Sequence, residues 1–399
     1  MKQSKPLDGI RVLDIASFIA APFAATIMAE FGADVIKVEP PGGGDPWRRY
    51  GTDSGAEDRS LAWLTEARNK RSITLNLKDE RGAALFKRLA AGADVVCENF
   101  RPGTLEKWGL GWDTLSAINR GLILLRVTGY GQDGPYAQRP GFARIAHAYG
   151  GLTHLAGNPG EAPVTPGSTS LADYMTGMYG CIGVMMALRH RDATGDGQVI
   201  DCALYESIFR ALDEIAPRYG KDGFVRQPEG TGTVNAVPHG HFPTADGKWI
   251  ALACTTDKMF ARLCAVMARP DLQQAYGAQK DRLAARSTVL AEVEAWTAAQ
   301  QRDALVDRCN EAGVPCGAVN TIADIFADPH IMARGTLTDI EVPGIGPVTV
   351  PAALPRLSES PGSVDTLGPP LGDANDAVYG ELLGLSAEDR SSLAAAGVI

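Results

Sequence analysis

The chain lacks the short motifs that mark the common cofactor enzymes. No GxGxxG follows the first strand-like run, so the dinucleotide fingerprint is missing. "PPGGGDPWRR" (40–49) has glycines without that spacing or a following helix. There is no Walker loop, no HExxH and no GxSxG elbow, which removes the usual nucleotide, zinc-protease and hydrolase readings. Cysteine and histidine are sparse, seven and six, with no CxxC and no metal-type spacing; no metal site is expected, and the thiols read as reduced. Basic residues are outnumbered 38 to 47, a formal charge of −9, which argues against broad nucleic-acid or membrane-surface binding. The most lipid-like run, Ile19 to Met28, is broken by Pro22 and closed by Glu30, short of the ~20 residues of a membrane span. The opening "MKQSKPLDGIRVLDIAS" has no signal or transit pattern, so a cytoplasmic protein with neither nucleic-acid nor membrane partner is expected.

What is present is a chain of 399 residues with 45% hydrophobic content, enough for two domains. Its first half alternates short apolar strands ("IRVLDIAS", "DVIKVEP", "SITLNL", "DVVCENF", "GLILLRVTGYG") with helical stretches such as 22–31 and 80–93. That alternation predicts an α/β fold with a parallel sheet covered on both faces. Ligands of such sheets sit at the carboxyl ends of the strands, where Asp14, Glu39, Asn99 and Thr128 fall. An apolar helix is predicted from about Asp173 to Arg191. Near residue 216 the texture changes to a glycine-rich stretch without apolar period, read as a linker or loop. A hairpin turning at Asp246-Gly247, three helices over 257–312 and more short strands follow. The predicted division is 1–215 as the first part of a large α/β domain, 216–330 as a smaller domain with its linker, and 331–399 as a return to the first.

Polar residues cluster around two strands. "EARNKRSITLNLK" carries Arg68, Lys70, Arg71 and Lys78, and "CENFRPGTLEKWGL" carries Asn99, Phe100, Arg101 and Lys107. These are either a solvated charge run with an ordinary turn, or a phosphate pocket beside an aromatic-binding slot. His147 in "GFARIAHAYGG" reads as a satisfied structural histidine, and "GTGT" (230–233) as a linker or a lid with bare backbone. Asp173 in "SLADYMTGMYG" reads as a helix N-cap. A carboxylate held there is also stabilised as the anion and fixed in orientation, as a nucleophile needs.

The blocks "LDGIRVLDIASFIAAPFAATIMAEFGADVIKVEPPGGGD", "NKRSITLNLK", "VCENFRPGTLEKWGLG", "VTGYGQDGPYAQRPGF" and "SLADYMTGMYG" resemble the family III CoA-transferases and the related 2-methylacyl-CoA racemases. The resemblance implies a Rossmann-like large domain built from both chain ends with a smaller α/β domain from the middle, a homodimer of interlocked rings, and a reaction in which Asp173 takes the acyl group as a mixed anhydride and then CoA as a thioester. No cofactor is implied beyond CoA as a substrate carrier. The partners implied are an acyl-CoA donor and a carboxylic acid acceptor. The carry-over names Ala20 near the thioester, Leu75 and Lys78 at the nucleotide end, and Asn99, Phe100 and Lys107 in the CoA groove. Three positions depart: Ile19 for a glutamine, Ala143 for an acidic residue, and Pro40 for an adenine-side arginine, leaving Arg48, Lys70 or Arg71 to supply that charge. Gly230 and Gly232 are the lid candidates, and Arg144, Arg49 and Arg218 the candidates for a second acceptor carboxylate. Succinyl-CoA is the expected donor, with malate, citramalate or itaconate as acceptor. The alternatives are a racemase, whose base His147 would have to supply because Phe142 stands at the family's histidine, and a non-catalytic CoA-binding protein.

Overall fold

The computed structural model describes residues 4–399. Two compact units divide the chain. The first comprises residues up to Leu152, Gly167–Glu214 and Arg334–Ile399; the second comprises Thr153–Pro166 and Ile215–Ala333. The stretch 153–166, which the sequence reading ran on with the first domain, thus groups with the second unit.

The first unit is built on six strands: β1 (Arg11–Asp14), β2 (Asp34–Glu39), β3 (Lys70–Thr74), β4 (Val95–Glu98), β5 (Ile123–Thr128) and β6 (Val199–Ala203). All neighbours pair parallel, in the order β3-β2-β1-β4-β5-β6. This is the doubly wound order, whose direction reverses between β1 and β4 and opens a crevice at their carboxyl ends. Alternation of side chains fills both faces. Val12, Val35, Val95 and Ile123 meet α1 (Ala20–Glu30), while Leu13, Ile36, Val96 and Leu124 meet α2 (Glu80–Ala90) and the carboxyl-terminal Val398 and Ile399. The tail returns to β3, where Asn76 N–H donates to Val398 O at 2.8 Å and the Tyr379 hydroxyl to Thr74 O at 2.6 Å.

Two further helices complete the crevice, α3 (Ala143–Tyr149) and the 24-residue α4 (Leu171–Thr194). The close approach of α4 to α1 is made by small residues. Ala20, Ala21, Ala24 and Ala25 of α1 are buried, and α4 presents Gly177 and Gly180. A Cβ at Gly177 would lie 2.6 Å from the Ala20 carbonyl oxygen and one at Gly180 3.0 Å from Leu125. The glycines of "YMTGMYG" therefore set the spacing that brings the first turns of the two helices together.

The second unit contains the predicted hairpin, β7 (His239–Pro243) and β8 (Trp249–Ala253), with β9 (Cys316–Ala318) on its other edge. Gly247 takes φ +71° in the turn. Of the stretch read as a linker or loop from 216, only the beginning is helical, Ile215–Asp222, with no buried residue; 223–238 carries no helix or named strand, as that reading expected. Among the described residues all seven cysteines are free; Cys202 and Cys316 are half-buried and the rest buried.

Gly177→Ala tests the helix spacing. Alanine gains up to ~1 kcal/mol in helix propensity, but its methyl meets a backbone carbonyl that cannot rotate away. Overpacking of this kind costs about 1–3 kcal/mol, so chemical denaturation should show a net loss. A variant as stable as the parent would contradict the close approach.

Candidate active site

Asp173 stands in the first turn of α4, and the structure corrects its reading as the cap. Ser170 occupies the cap position; the Asp173 N–H donates to Ser170 O at 2.9 Å, and no side-chain cap bond is made. Among the described residues no donor reaches the Asp173 carboxylate. Burial alone pushes its pKa from 3.8 up to about 7. The positive end of the helix favours the anion, so desolvation is the larger of the two opposing effects here.

The carboxylate faces a cleft of about 240 Å³ lined by Ser17–Ala20, Asn99–Pro102, Val127–Gly129, Ala137, Arg139–Phe142 and Leu204. A second cleft of about 250 Å³ is lined by Ile15–Ser17, Val38–Pro40, Asp45, Pro46, Leu75–Lys78, Phe100 and Trp108. Ser17 and Phe100 line both. Both clefts lie where strands β1, β2, β3, β4 and β5 end, on the crevice that the strand order creates. α1 begins at the first cleft with Ala20-Ala21-Pro22. The Ala20 and Ala21 amides have no acceptor within the helix, and Pro22 has no N–H, so the wall beside Asp173 favours negative charge.

The loop between β1 and α1 is pinned from below. The Asn99 side chain brackets Ser17, accepting from its N–H at 2.9 Å and donating to its carbonyl at 2.7 Å. Phe18 takes φ +64°, and its N–H donates to the Asp45 carboxylate at 3.1 Å. Asp45 is held by the buried Lys37 ammonium at 2.9 Å, which also donates to Ala16 O and lies 3.6 Å from Asp14. Burial opposes the Lys37 charge, but Asp14, Asp45 and Glu39 outweigh it and hold its pKa above the usual lysine range. Most strand-end polar residues therefore position loops. Thr128 does so too, its hydroxyl accepting from Gly131 N–H at 2.9 Å.

The structure brings together Asp173, Ala20, Asn99 and Phe100 in the first cleft, and Leu75, Lys78 and Phe100 in the second. Several expected cations stand elsewhere. Arg71 lies near the amino end of β3, doubly bonded to Asp34 at 2.6 and 2.8 Å. Arg48 is buried against Glu39 at 2.6 and 2.8 Å, and Lys70 against Asp14 at 2.9 Å. None of the three replaces the charge missing at Pro40; the exposed Lys78 is the cation lining the second cleft. Lys107 is exposed at the end of the turn 104–107 and lines neither cleft. Arg144 and Arg49 also line neither, Arg49 donating to Gly43 O at 2.7 Å. Arg218 belongs to the second unit, bonded to Asp222 at 2.8 Å. Gly230 and Gly232 are likewise in that unit. Gly230 has φ +61° and donates to Gly157 O at 2.9 Å, and Gly232 lines a separate hollow of about 450 Å³ with His239 and His241.

Arg139 and Phe142 line the first cleft and escaped the site reading. The signal for them was the glycine pair flanking their loop. A Cβ at Gly129 or Gly141 would lie 2.8 Å from the other's Cα, so the chain after β5 folds back onto itself. His147 is buried, and its Nε2 accepts from the Ala172 N–H at 2.9 Å. That bond requires an unprotonated Nε2. Burial, then Arg144, lower its pKa; the histidine is tied into the fold through Nε2, but it is only half satisfied, since its buried Nδ1 has no partner.

The Asp173 shift has a thermodynamic signature. Its pKa is raised on folding, so its stabilising contribution is whole below about pH 4 and lost as pH rises through about 7. Asp173→Asn should match the parent near pH 4 and exceed it at pH 8, by up to roughly 4 kcal/mol in chemical denaturation. An equal difference at both pH values would show that the carboxylate is not desolvated.

Comparison with known proteins supplies the family. Residues 7–375 match the family model "CoA-transferase family III". The chain is 54% identical over 400 residues to the succinyl-CoA–L-malate CoA-transferase alpha subunit of Chloroflexus aurantiacus, covering 100% of this chain and 94% of that protein. It is 56% identical over 398 residues to the beta subunit, covering 99% and 98%. Among solved structures, a CAIB/BAIF family protein from Brucella suis superposes with a TM-score of 0.84 at 35% identity, covering 95% of this chain and 100% of that one. With the doubly wound sheet and the two adjoining clefts already in place, these matches make the chain a family III CoA-transferase.

Proposed function

We propose that the enzyme moves CoA from succinyl-CoA to a C4–C5 dicarboxylate, of the malate, citramalate or itaconate type, with Asp173 as nucleophile. The observation that carries this reading is a half-buried, unpartnered carboxylate beside the first turn of α1, in a cleft joined at Ser17 and Phe100 to a second one. The second cleft, with Leu75 and the exposed Lys78, suits the nucleotide end of CoA, and the first suits the thioester. The names of the malate-transferase relatives support donor and acceptor class.

In the first half-reaction an Asp173 oxygen attacks the thioester carbonyl, the C–S bond breaks, and CoA leaves as thiolate. The thiolate then attacks the Asp173 acyl carbon, releasing succinate and leaving an aspartyl-CoA thioester. The acceptor carboxylate attacks that thioester, expelling the thiolate, which returns to the acceptor's acyl carbon and frees Asp173. Each tetrahedral oxyanion needs preorganised donors, a role that suits the Ala20 and Ala21 amides. The anhydride needs protection from water, for which the Gly230–Gly232 loop is the candidate lid. No cofactor beyond CoA enters, and the setting is cytoplasmic.

The exposed row Met178, Ile182 and Met186 along α4, with Tyr179 beside it, suits burial by a second subunit. A homodimer of interlocked rings is the assembly proposed. The racemase alternative is disfavoured because the Nε2 of His147 is already engaged by the Ala172 amide.

Asp173→Ala should bind CoA as the parent does and lose turnover by a factor of about 10⁴ or more. Digestion of the parent after incubation with succinyl-CoA should yield a peptide carrying CoA on Asp173; turnover by the alanine variant would refute the mechanism. For the parent, kcat/KM should rise with pH through about 7, where Asp173 ionises. In deuterated buffer the transferred acyl group should acquire no label at its α-carbon; label there would instead favour the racemase.

A further inference from the structure

Of the residues lining the Asp173 cleft, Asp173 is the sole carboxylate, and Arg101 and Arg139 are the cations. Neither arginine has an ion-pair partner among the described residues. Arg101 follows Phe100, the residue shared with the second cleft. Arg139 belongs to 137–142, a segment that contributes only to the Asp173 cleft.

The protein holds Arg139 by means that leave its donors free. The Gly129–Gly141 contact folds the loop back over the sheet end, and Gln138 ties it to Pro102 O at 3.3 Å. The Arg139 N–H donates to Tyr136 O at 2.8 Å, and the guanidinium stacks 3.4 Å from the centroid of the Tyr136 ring. That ring is itself buttressed edge-on by Tyr130 and Tyr149. Stacking uses the face of a guanidinium and leaves its in-plane N–H fork for a carboxylate. Asp173 does not claim it: among the described residues no hydrogen bond or ion pair joins the two, although both line the cleft. A fixed fork and a separate nucleophile in one cleft match a substrate with two carboxylates, one reacting and one anchored. The anchored one could not remain charged against Phe18, Val127, Phe142 and Leu204 without a counter-charge.

We propose that Arg139 seats the far carboxylate of a dicarboxylic substrate, first of the succinyl donor and then of the acceptor. The inference rests on the transfer reading above and deepens it: both half-reactions use one acyl seat, and Arg139 makes that seat selective for diacids. Arg139 is a specificity residue, and the bond-making steps remain with Asp173.

The test compares two substrate pairs in the full-length enzyme, succinyl-CoA with L-malate and butyryl-CoA with 3-hydroxybutyrate, reading CoA products by mass spectrometry. In Arg139→Gln, kcat/KM for the diacid pair should fall by about 30-fold or more, the size expected for loss of a bidentate charged contact. The monoacid pair and CoA affinity should stay within about threefold, so the parent's preference for diacids shrinks by the difference. Arg139→Lys should fall between parent and glutamine variant, which also guards against a folding defect. An equal loss on both pairs, weakened CoA binding or no change in preference would overturn the role of Arg139 while leaving the transferase reading standing. A parent unable to exchange CoA between any of these acids would instead remove the transfer reading, and this proposal with it.

Discussion

A carboxylate removed from water without receiving a donor is the constraint on which this site depends. A buried acid is ordinarily paired or hydrogen-bonded, and this protein follows that rule at Glu39, Glu98 and Asp14. Asp173, half-buried at the cleft wall, has no such partner among the described residues. Its first-turn position on α4 gives it a helix dipole and a fixed direction, yet burial still carries its pKa to about 7. Such an oxygen keeps its lone pairs unengaged and oriented toward the cleft. The energetic cost is borne by the folded state, which is the pattern expected where stability is traded for reactivity.

The surroundings divide into charges spent on architecture and charges left for chemistry. Lys37, Lys70, Arg48 and Arg71 all have carboxylate partners in the fold. The buried three, Lys37, Lys70 and Arg48, hold the β1–α1 loop and the strand ends, since breaking a buried pair strands its partner at a cost of about 3–5 kcal/mol; the Arg71–Asp34 pair is part-exposed. Through Asp45 and Asn99 this network reaches the backbone of Ser17 and Phe18, where the two clefts meet. Lys78, Arg101 and Arg139 line the clefts without such partners. The cations that line the clefts are therefore ones that the fold has not paired.

Strands β1, β2, β4 and β5 were legible because each is largely buried on both faces and reads as a mostly apolar run, as in "GLILLRVTGYG" for β5; β6, with Asp201 exposed, carries no such run. The proposed nucleophile was legible because its block resembles a known family; its place in the helix was not, since α4 begins two residues before Asp173 with Ser170 as cap. Arg71 was misplaced because its partner, Asp34, lies 37 residues earlier and across a strand pair. Composition cannot distinguish a spent arginine from a free one. Arg139 was missed for the converse reason, since its position follows from a backbone contact between Gly129 and Gly141 that forms only in the folded chain. The helix Ile215–Asp222 was read as a linker because it buries none of its residues and so carries no apolar period.

Isotopic labelling of the transferred oxygen interrogates the nucleophile most directly. When an acid labelled with ¹⁸O in its carboxylate attacks the aspartyl thioester, its oxygen becomes the bridge of the anhydride. Thiolate attack on the acid's acyl carbon then leaves that oxygen on Asp173. After turnover with labelled succinate and succinyl-CoA, the peptide containing Asp173 should carry ¹⁸O in its side-chain carboxyl. An unlabelled Asp173 after many turnovers would mean that the acyl group never bonded to this residue, and the account would be wrong.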